Sequence, residues 1–424
     1  MELNFFTSKG EVGGNQILLQ HDEERIWLDF GLSFKKAARY INPILEGRQL
    51  PKMHLDELAK MQVTPPSQYY EAGMRILVSH AHVDHYGALL APLEHDIKVE
   101  IYAPEDTLRL LKARMEISNA GSLLEKAELV QLQPYTKKSV SDYEIVPIPV
   151  DHSIDASYSY LMFLPDGQSL YYSGDYRFDL ISAEKTLETI RKFTEKPDVV
   201  ISELTGVASR NPLKEQDMRP AMSKVAQKYN GFATIFSTPS YTRRMEAIRH
   251  TFKDRTLVVD SSYAYLLYVA NKSKLINGVF VSEKKRVFTK WERELEKSFT
   301  FVGESELRQK QNNYAIVLNP YHKLKLDFDF TPNSFSILSL TEPFDEEGFI
   351  HSSRLEAFLL QHRRIPIYHI HASGHAEAFD IARFIEELKP SKVFLIHSQS
   401  PETIHGLLPK MRNLNTPDYG ESVA

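Results

Sequence analysis

The sequence predicts an α/β fold in two parts, a strand-rich first portion and a later portion in which strands and helices alternate. Three observations carry this reading. Short apolar runs bounded by polar turns dominate as far as Tyr172, helix-length and strand-length patterns take turns from Met218 onward, and histidine or aspartate repeatedly stands at the end of an apolar run. With 424 residues, 42% hydrophobic and 25% charged, the chain can bury at least one large core and is long enough for two domains.

Taken in order, Ile17 to Leu19 and Ile26 to Leu28 flank the polar His21-Asp22-Glu23-Glu24 turn as a hairpin would. Met74 to Val78 is a short apolar run ending at a histidine cluster, and similar runs end at Val150 and Tyr172, the second preceded by a Pro165-Asp166-Gly167 turn. A helix from Met218 to Tyr229, a strand at Ala233 to Phe236, a helix from Thr242, a strand at Thr256 to Val259 and a further helix suggest a small parallel α/β unit. After Pro366 come a strand ending at the His371 to His375 loop, a helix from Glu377 to Leu388, and a strand at Lys392 to Ile396 that stops at His397. Polar chemistry at strand ends is where open α/β sheets tend to place their sites. The chain has no internal repeat and no Pro/Gly/Ser-rich linker, so domain boundaries follow from element order alone.

Composition removes several classes. The absence of cysteine excludes a disulfide framework and a thiolate metal site, so any metal must sit on histidine and carboxylate. The first residues lack the basic flank and apolar core of a secretion signal, and no stretch of about 18 apolar residues occurs, so the expectation is a cytoplasmic protein with no membrane partner. A formal net charge of -5 argues against nonspecific coating of nucleic acid. Two basic patches stand out: Arg243, Arg244, Arg249, Lys253 and Arg255, and Lys284, Lys285, Arg286 and Lys290. Taken alone, each patch reads better as a solvated helix face.

The chemistry concentrates in Ser79-His80-Ala81-His82-Val83-Asp84-His85-Tyr86-Gly87. Alternate residues His80 and His82 project to one side while the chain is extended, so both can reach one ion. Asp84 and His85 follow as the chain turns into a helix expected near Tyr86, a spacing compatible with a second ion beside the first. Such a pattern arises by chance in about one chain of this length in a thousand. It is echoed at other strand ends by Asp29, His152, Asp175 and His397.

The ordered set Asp29, His80-x-His82-x-Asp84-His85, His152 and Asp175 resembles the signature of the metallo-β-lactamase superfamily. The resemblance implies an αββα sandwich. It implies that His80, His82 and His152 hold one zinc, that Asp84, His85 and a final histidine, His397, hold another, and that Asp175 bridges the two. Asp29 would anchor the ligand loop without touching metal. Two Zn2+ per chain are expected, with Mn2+ or Mg2+ as substitutes.

Fold alone does not choose a substrate. Glu203 in Ile-Ser-Glu-Leu-Thr-Gly, His375 in His-Ala-Ser-Gly-His-Ala and His397 in Phe-Leu-Ile-His-Ser are similar to motifs A, B and C of the β-CASP nucleases, in order. This implies a first metallo-β-lactamase segment at 1–205, an inserted α/β β-CASP domain at 206–365 and a return segment at 366–424. The Gly10-Glu11-Val12-Gly13-Gly14-Asn15-Gln16 stretch and the His371 to Ala376 loop look closest to the ribonuclease J family, and histidine at motif C goes with RNA processing. The sequence departs from that family where Leu318-Asn319-Pro320-Tyr321-His322 replaces a Gly-Ser-Gln-Gly-Glu-Pro element and where Ser398-Gln399 follows His397.

The implied activity is zinc-dependent hydrolysis of phosphodiester bonds in single-stranded RNA, by 5′-to-3′ exonuclease or endonuclease action. Asp84 would accept the proton of the attacking water, and His375, kept protonated by Glu203, would serve the leaving oxygen. Ser373, with His371, would meet a terminal phosphate, and Arg243 and Arg244 the RNA backbone. A homodimer or a larger processing or defence assembly stays open. So do three other readings: a DNA nuclease of the same fold, a hydrolase of small thioesters or lactams, and a non-catalytic RNA-processing or scaffold subunit.

Overall fold

The computed structural model describes residues 1–7, 9–41, 53–70, 73–208, 213–237, 240–283, 287–319, 326, 328–340, 353–409 and 411–424. The chain divides into two compact units, Met1–Arg210 with Gly374–Ala424, and Asn211–Ser373.

Two seven-stranded sheets form the first unit. One runs, edge to edge, Glu421–Val423, Glu2–Phe5, Gln16–His21, Glu24–Phe30, Met74–Leu77, Val99–Pro104 and Glu128–Leu132. The other runs Leu414–Asn415, Lys392–Ile396, Val199–Glu203, Ser169–Tyr172, Ser157–Phe163, Tyr143–Val150 and Lys138–Val140. The expected hairpin is present, with Ile17 opposite Leu28 and Leu19 opposite Ile26.

Alternation of side chains explains the layers. Along Ser157–Phe163, Tyr158, Tyr160 and Met162 enter a core shared with Leu3, Phe5, Ile17, Leu19 and Leu77 of the facing sheet, whereas Leu161 points the other way. Leu161 packs with Leu187 and Ile190 of the helix Ala183–Arg191 and with Ile381, Phe384 and Ile385 of the helix Ala378–Leu388. Outside the first sheet, Ala37, Leu58 and Ala91, from three further helices, close around Leu32 and Val63. The order is therefore helix, sheet, sheet, helix.

The second unit holds one all-parallel sheet in the order Thr300–Val302, Gly278–Phe280, Thr256–Asp260, Tyr314–Leu318, Ala233–Ser237, Phe335–Ser339 and Ile367–His369. Its central strands are buried throughout, as a parallel sheet covered on both faces requires. The patterns at 233–236 and 256–259 therefore belong to a larger sheet than they alone suggest. Two of the strands they leave out, Gly278–Phe280 and Thr300–Val302, are three residues each, too short to set a period. No helix among the described residues is long and apolar enough to cross a membrane.

Candidate metal centre

The candidate residues of the first unit gather where its strands end. His80 and His82 follow Met74–Leu77, His152 follows Tyr143–Val150, Asp175 follows Ser169–Tyr172, Glu203 closes Val199–Glu203 and His397 follows Lys392–Ile396. The helix after His82 begins at Val83 rather than near Tyr86, so Asp84 and His85 lie within its first turn, where a helix start favours acidic side chains.

Three overlapping groups of donors result among the described residues. His82 Nδ1 stands 3.0 Å from His80 Nε2 and 3.2 Å from His152 Nε2. Nitrogens at the corners of a tetrahedron with bonds of about 2.0 to 2.1 Å lie about 3.3 Å apart, so three imidazoles converge at close to ligand spacing. In the second group Asp84 Oδ2 is 3.3 Å from His397 Nε2 and 3.8 Å from His85 Nε2. Asp175 Oδ2 lies between the groups, 3.2 Å from His85 Nε2, 3.6 Å from His397 Nε2 and 3.8 Å from His152 Nε2. The other oxygen, Asp175 Oδ1, is buried without a hydrogen-bond partner among the described residues, which a bound cation would remedy.

The rear nitrogen of each Nε2 donor is pinned. Ser79 Oγ has one proton and gives it to Asp29 Oδ2 at 2.7 Å, so at 3.0 Å it accepts from His80 Nδ1. By the same logic Thr205 Oγ1 donates to the His397 carbonyl and accepts from His397 Nδ1 at 2.6 Å. His152 Nδ1 donates to the Gly374 carbonyl at 2.7 Å, and His85 Nδ1 to Asp29 Oδ2 at 2.6 Å. In His80, His152 and His397 this leaves the Nε2 lone pair facing the cluster.

Burial and neighbours divide the charges. Burial keeps His80 and His152 neutral far below the ordinary imidazole range, and burial together with Arg114 pulls His82 down to about 3. Burial also opposes charge on His85, but Asp175, Asp29 and Asp84 outweigh it and hold this pKa well above its usual value. On His375 burial is overridden chiefly by Glu203, and the pKa rises. Asp175, despite its burial, is held ionised by His397 and His85.

Comparison with known proteins agrees with this geometry. Residues 41–235 match the beta-lactamase superfamily domain, and residues 362–405 match the Zn-dependent metallo-hydrolase RNA specificity domain. The chain belongs to the metallo-β-lactamase superfamily, in its β-CASP branch. Ribonuclease J of Pyrococcus abyssi is 27% identical over 177 residues, 40% of this chain and 36% of that protein. Ribonuclease J of Synechocystis sp. is 24% identical over 250 residues, 56% of this chain and 35% of that protein. The aligned part thus spans about a third of the curated relatives it matches. A solved structure described as a protein of unknown function from Enterococcus faecalis V583 superposes with a TM-score of 0.75 at 19% identity, covering 100% of this chain and 99% of that one, a likeness of fold.

A metallo-hydrolase of this superfamily takes a divalent metal, and the imidazole and carboxylate donors suit one. Asp29 sits behind them, accepting from Ser79 N, Ser79 Oγ, Tyr172 Oη and His85 Nδ1 at 2.6 to 2.7 Å. The glycine loop has a physical role as well. Gly14 N and Asn15 N both donate to the Asp84 carbonyl, and a Cβ on Gly31 would lie 1.6 Å from that oxygen.

Glu203 Oε1 accepts from His375 Nδ1 at 3.0 Å, and the two residues form a third group of possible donors with Asp175 and His397. The remaining candidates lie in the second unit. Arg243 is exposed there, whereas Arg244 is 5% exposed, paired through two nitrogens with Glu215 at 2.6 and 2.7 Å and donating to Ser339 Oγ and the Ala372 carbonyl. The expectation that Arg244 meets the RNA backbone is therefore corrected: its donors are used within the fold. His371 Nδ1 lies 3.3 Å from Arg244 Nη1, and Ser373 is the last residue of that unit. Lys284 to Arg286 and Pro320 to His322 lie outside the described residues.

Sequence reasoning missed Thr205, Ser79 and the buried pair Asp151–Arg177, which ties the His152 loop to the Asp175 loop at 2.9 Å. It also missed Arg114, whose charge reaches His82. Adjacency to a ligand was the available signal for Ser79 and Asp151; Thr205 and Arg114 carried none.

Proposed function

We propose that this chain is a two-zinc ribonuclease that hydrolyses phosphodiester bonds of single-stranded RNA. The observation that carries the reading is the His375–Glu203 pair beside Asp175, because it adds a proton donor to a complete set of metal donors. Relatives named ribonuclease J and the match to an RNA specificity domain support the substrate.

His80, His82 and His152 would hold one ion, and Asp84, His85 and His397 the other, with Asp175 between. Bound there, divalent ions supply Lewis acidity toward phosphoryl oxygens and lower the pKa of water. Asp84 is kept ionised by His85 and His397 against its burial, so its carboxylate is free to accept a hydrogen bond from the attacking water. His375 donates Nδ1–H to Glu203, which leaves Nε2–H as the acid for the departing alkoxide. Against burial, Glu203 raises the His375 pKa, which favours the protonated ring. A cysteine-free chain fits work in the cytoplasm.

Incubation of the zinc-loaded protein with 5′-monophosphorylated, 5′-triphosphorylated and circular single-stranded RNA, beside matched DNA strands, tests the proposal. RNA should be cut and chelation should stop it. Opening of the circle assigns endonuclease action, and shortening of linear strands alone assigns exonuclease action. An intact set of RNAs with zinc bound would overturn the reading, and faster cutting of DNA would replace it with a DNA nuclease.

A further inference from the structure

A cavity of about 340 Å³ lies in the second unit, lined by Tyr229, by the Phe330–Ser334 turn and by Arg363 to Pro366. Among the described residues that line it none carries a carboxylate, two are arginines and two are aromatic. It belongs to no part of the metal centre, whose donors all lie in the first unit.

Both walls are built before any ligand arrives. The turn is locked by Thr331 N donating to Gln311 Oε1 at 2.7 Å, Ser334 Oγ to the Thr331 carbonyl at 2.6 Å and Gly231 N to the Asn333 carbonyl at 3.0 Å. Across from it, Arg363 sits over the Phe330 and Phe358 rings at 5.0 and 5.1 Å and donates to the Phe328 and Leu326 carbonyls, so its guanidinium is spent on structure. Tyr229 has one face stacked on Phe335 at 5.1 Å and its hydroxyl 2.6 Å from that of Tyr368, which fixes the ring at the cavity wall.

Arg364 differs from all of these. It ends the helical turn Phe358–Arg363 in a left-handed conformation, φ 53°, at a position that glycine usually occupies. It is exposed, and among the described residues it makes no hydrogen bond or ion pair. A side chain with five donors, placed at the mouth of a preformed cavity by a backbone conformation that costs about 1 to 2 kcal/mol, is a site for a planar or tetrahedral anion.

We propose that this cavity binds a nucleotide, with the phosphate on Arg364 and the base against Tyr229 and Phe330. The volume is near the lower limit of ligand pockets, roughly 300 to 1,000 Å³, which suits a single nucleotide. Aromatic walls favour a base over a bare anion or an acidic peptide. A free mononucleotide and one nucleotide of a strand share this chemistry.

Calorimetric titration of the full chain with UMP, AMP, uridine and inorganic phosphate, and with a short 2′-O-methyl oligouridylate that resists cleavage, tests the proposal. Arg364→Gly keeps the left-handed backbone and removes the charge, and Arg364→Lys restores charge without the fork. The nucleotides should bind more tightly than uridine or phosphate, Arg364→Gly should weaken them about tenfold or more, and Arg364→Lys should recover part of the loss. Binding of mononucleotides assigns the site to a free ligand, and Arg364-dependent binding of the strand alone assigns it to a nucleic-acid chain. Binding unchanged in Arg364→Gly, phosphate binding as tightly as UMP, or no binding at about 1 mM would each overturn the proposal. Because none of these ligands must be cleaved, failure here is separable from failure of the ribonuclease reading.

Discussion

His375 Nδ1 lies 3.0 Å from Glu203 Oε1 and 3.9 Å from Asp175 Oδ2, so one imidazole joins a fully buried carboxylate to the carboxylate at the middle of the metal donors. Under the proposed function His375 serves proton transfer, and His80, His82 and His152 bind metal without it. His375→Ala should retain two zinc ions, measured by metal analysis, while RNA cleavage falls by about 10²- to 10⁴-fold. Loss of zinc in parallel with activity would reassign His375 as a ligand.

Asp29 is fully buried and receives four hydrogen bonds. Asp29→Asn tolerates the left-handed backbone, φ 55°, yet places an amide where an acceptor is needed. Zinc affinity should fall about 10- to 100-fold in a competition titration, and metal-free stability should drop by about 3 to 5 kcal/mol in denaturant unfolding.

Gly31 has no room for a methyl group, since a Cβ would meet the Asp84 carbonyl at 1.6 Å. Gly31→Ala should cost about 3 kcal/mol or more and displace Asp84. Gly406, in the helix Thr403–Leu407, meets nothing within 4 Å, and Gly406→Ala should be neutral or raise stability by up to about 1 kcal/mol. Equal melting temperatures for the two variants would contradict the packing argument.

In the metal-free protein His85 is held charged at neutral pH, because its folded pKa lies well above the unfolded value of about 6.5. A raised pKa contributes stability that is fully present below the unfolded value and lost as pH rises through the folded one. Chelated protein should therefore lose stability on the alkaline side, and metal binding near pH 7 should release about one proton from His85 Nε2. Calorimetry of zinc binding in buffers of different ionisation enthalpy counts that proton; a count of zero would show His85 already neutral.

Arg244 and Arg243 are neighbours in sequence with opposite surroundings. Arg244→Ala breaks a buried pair with Glu215 and should destabilise the protein by about 3 to 5 kcal/mol. Arg243→Ala, on an exposed side chain, should change unfolding by less than about 0.5 kcal/mol. If the order were reversed, the buried pair would not be the stabilising element.

Much of the candidate centre was legible because His80, His152, Asp175 and His397 each stand within three residues of the end of an apolar strand. The runs ending at Leu77, Val150, Tyr172 and Ile396 are short and clearly bounded, so the polar residue after each stands out. Arg244 was misread because a basic run looks the same in sequence whether its members face water or a buried glutamate. The strands Gly278–Phe280 and Thr300–Val302 escaped because three residues hold no readable alternation.

By itself the sequence determined which donor types are available, their order, and the local spacing that lets His80 and His82 approach together. Those depend only on covalent geometry and on the absence of cysteine. Tertiary structure decided that Asp84 and His397, 313 residues apart, come within 3.3 Å, that Asp29, Ser79 and Thr205 hold the imidazoles from behind, and that Arg364 lines a cavity without a hydrogen-bond or ion-pair partner among the described residues. Convergence of this kind requires strand ends from two facing sheets to open at one place, and that is settled by the packing of the whole core rather than by any segment.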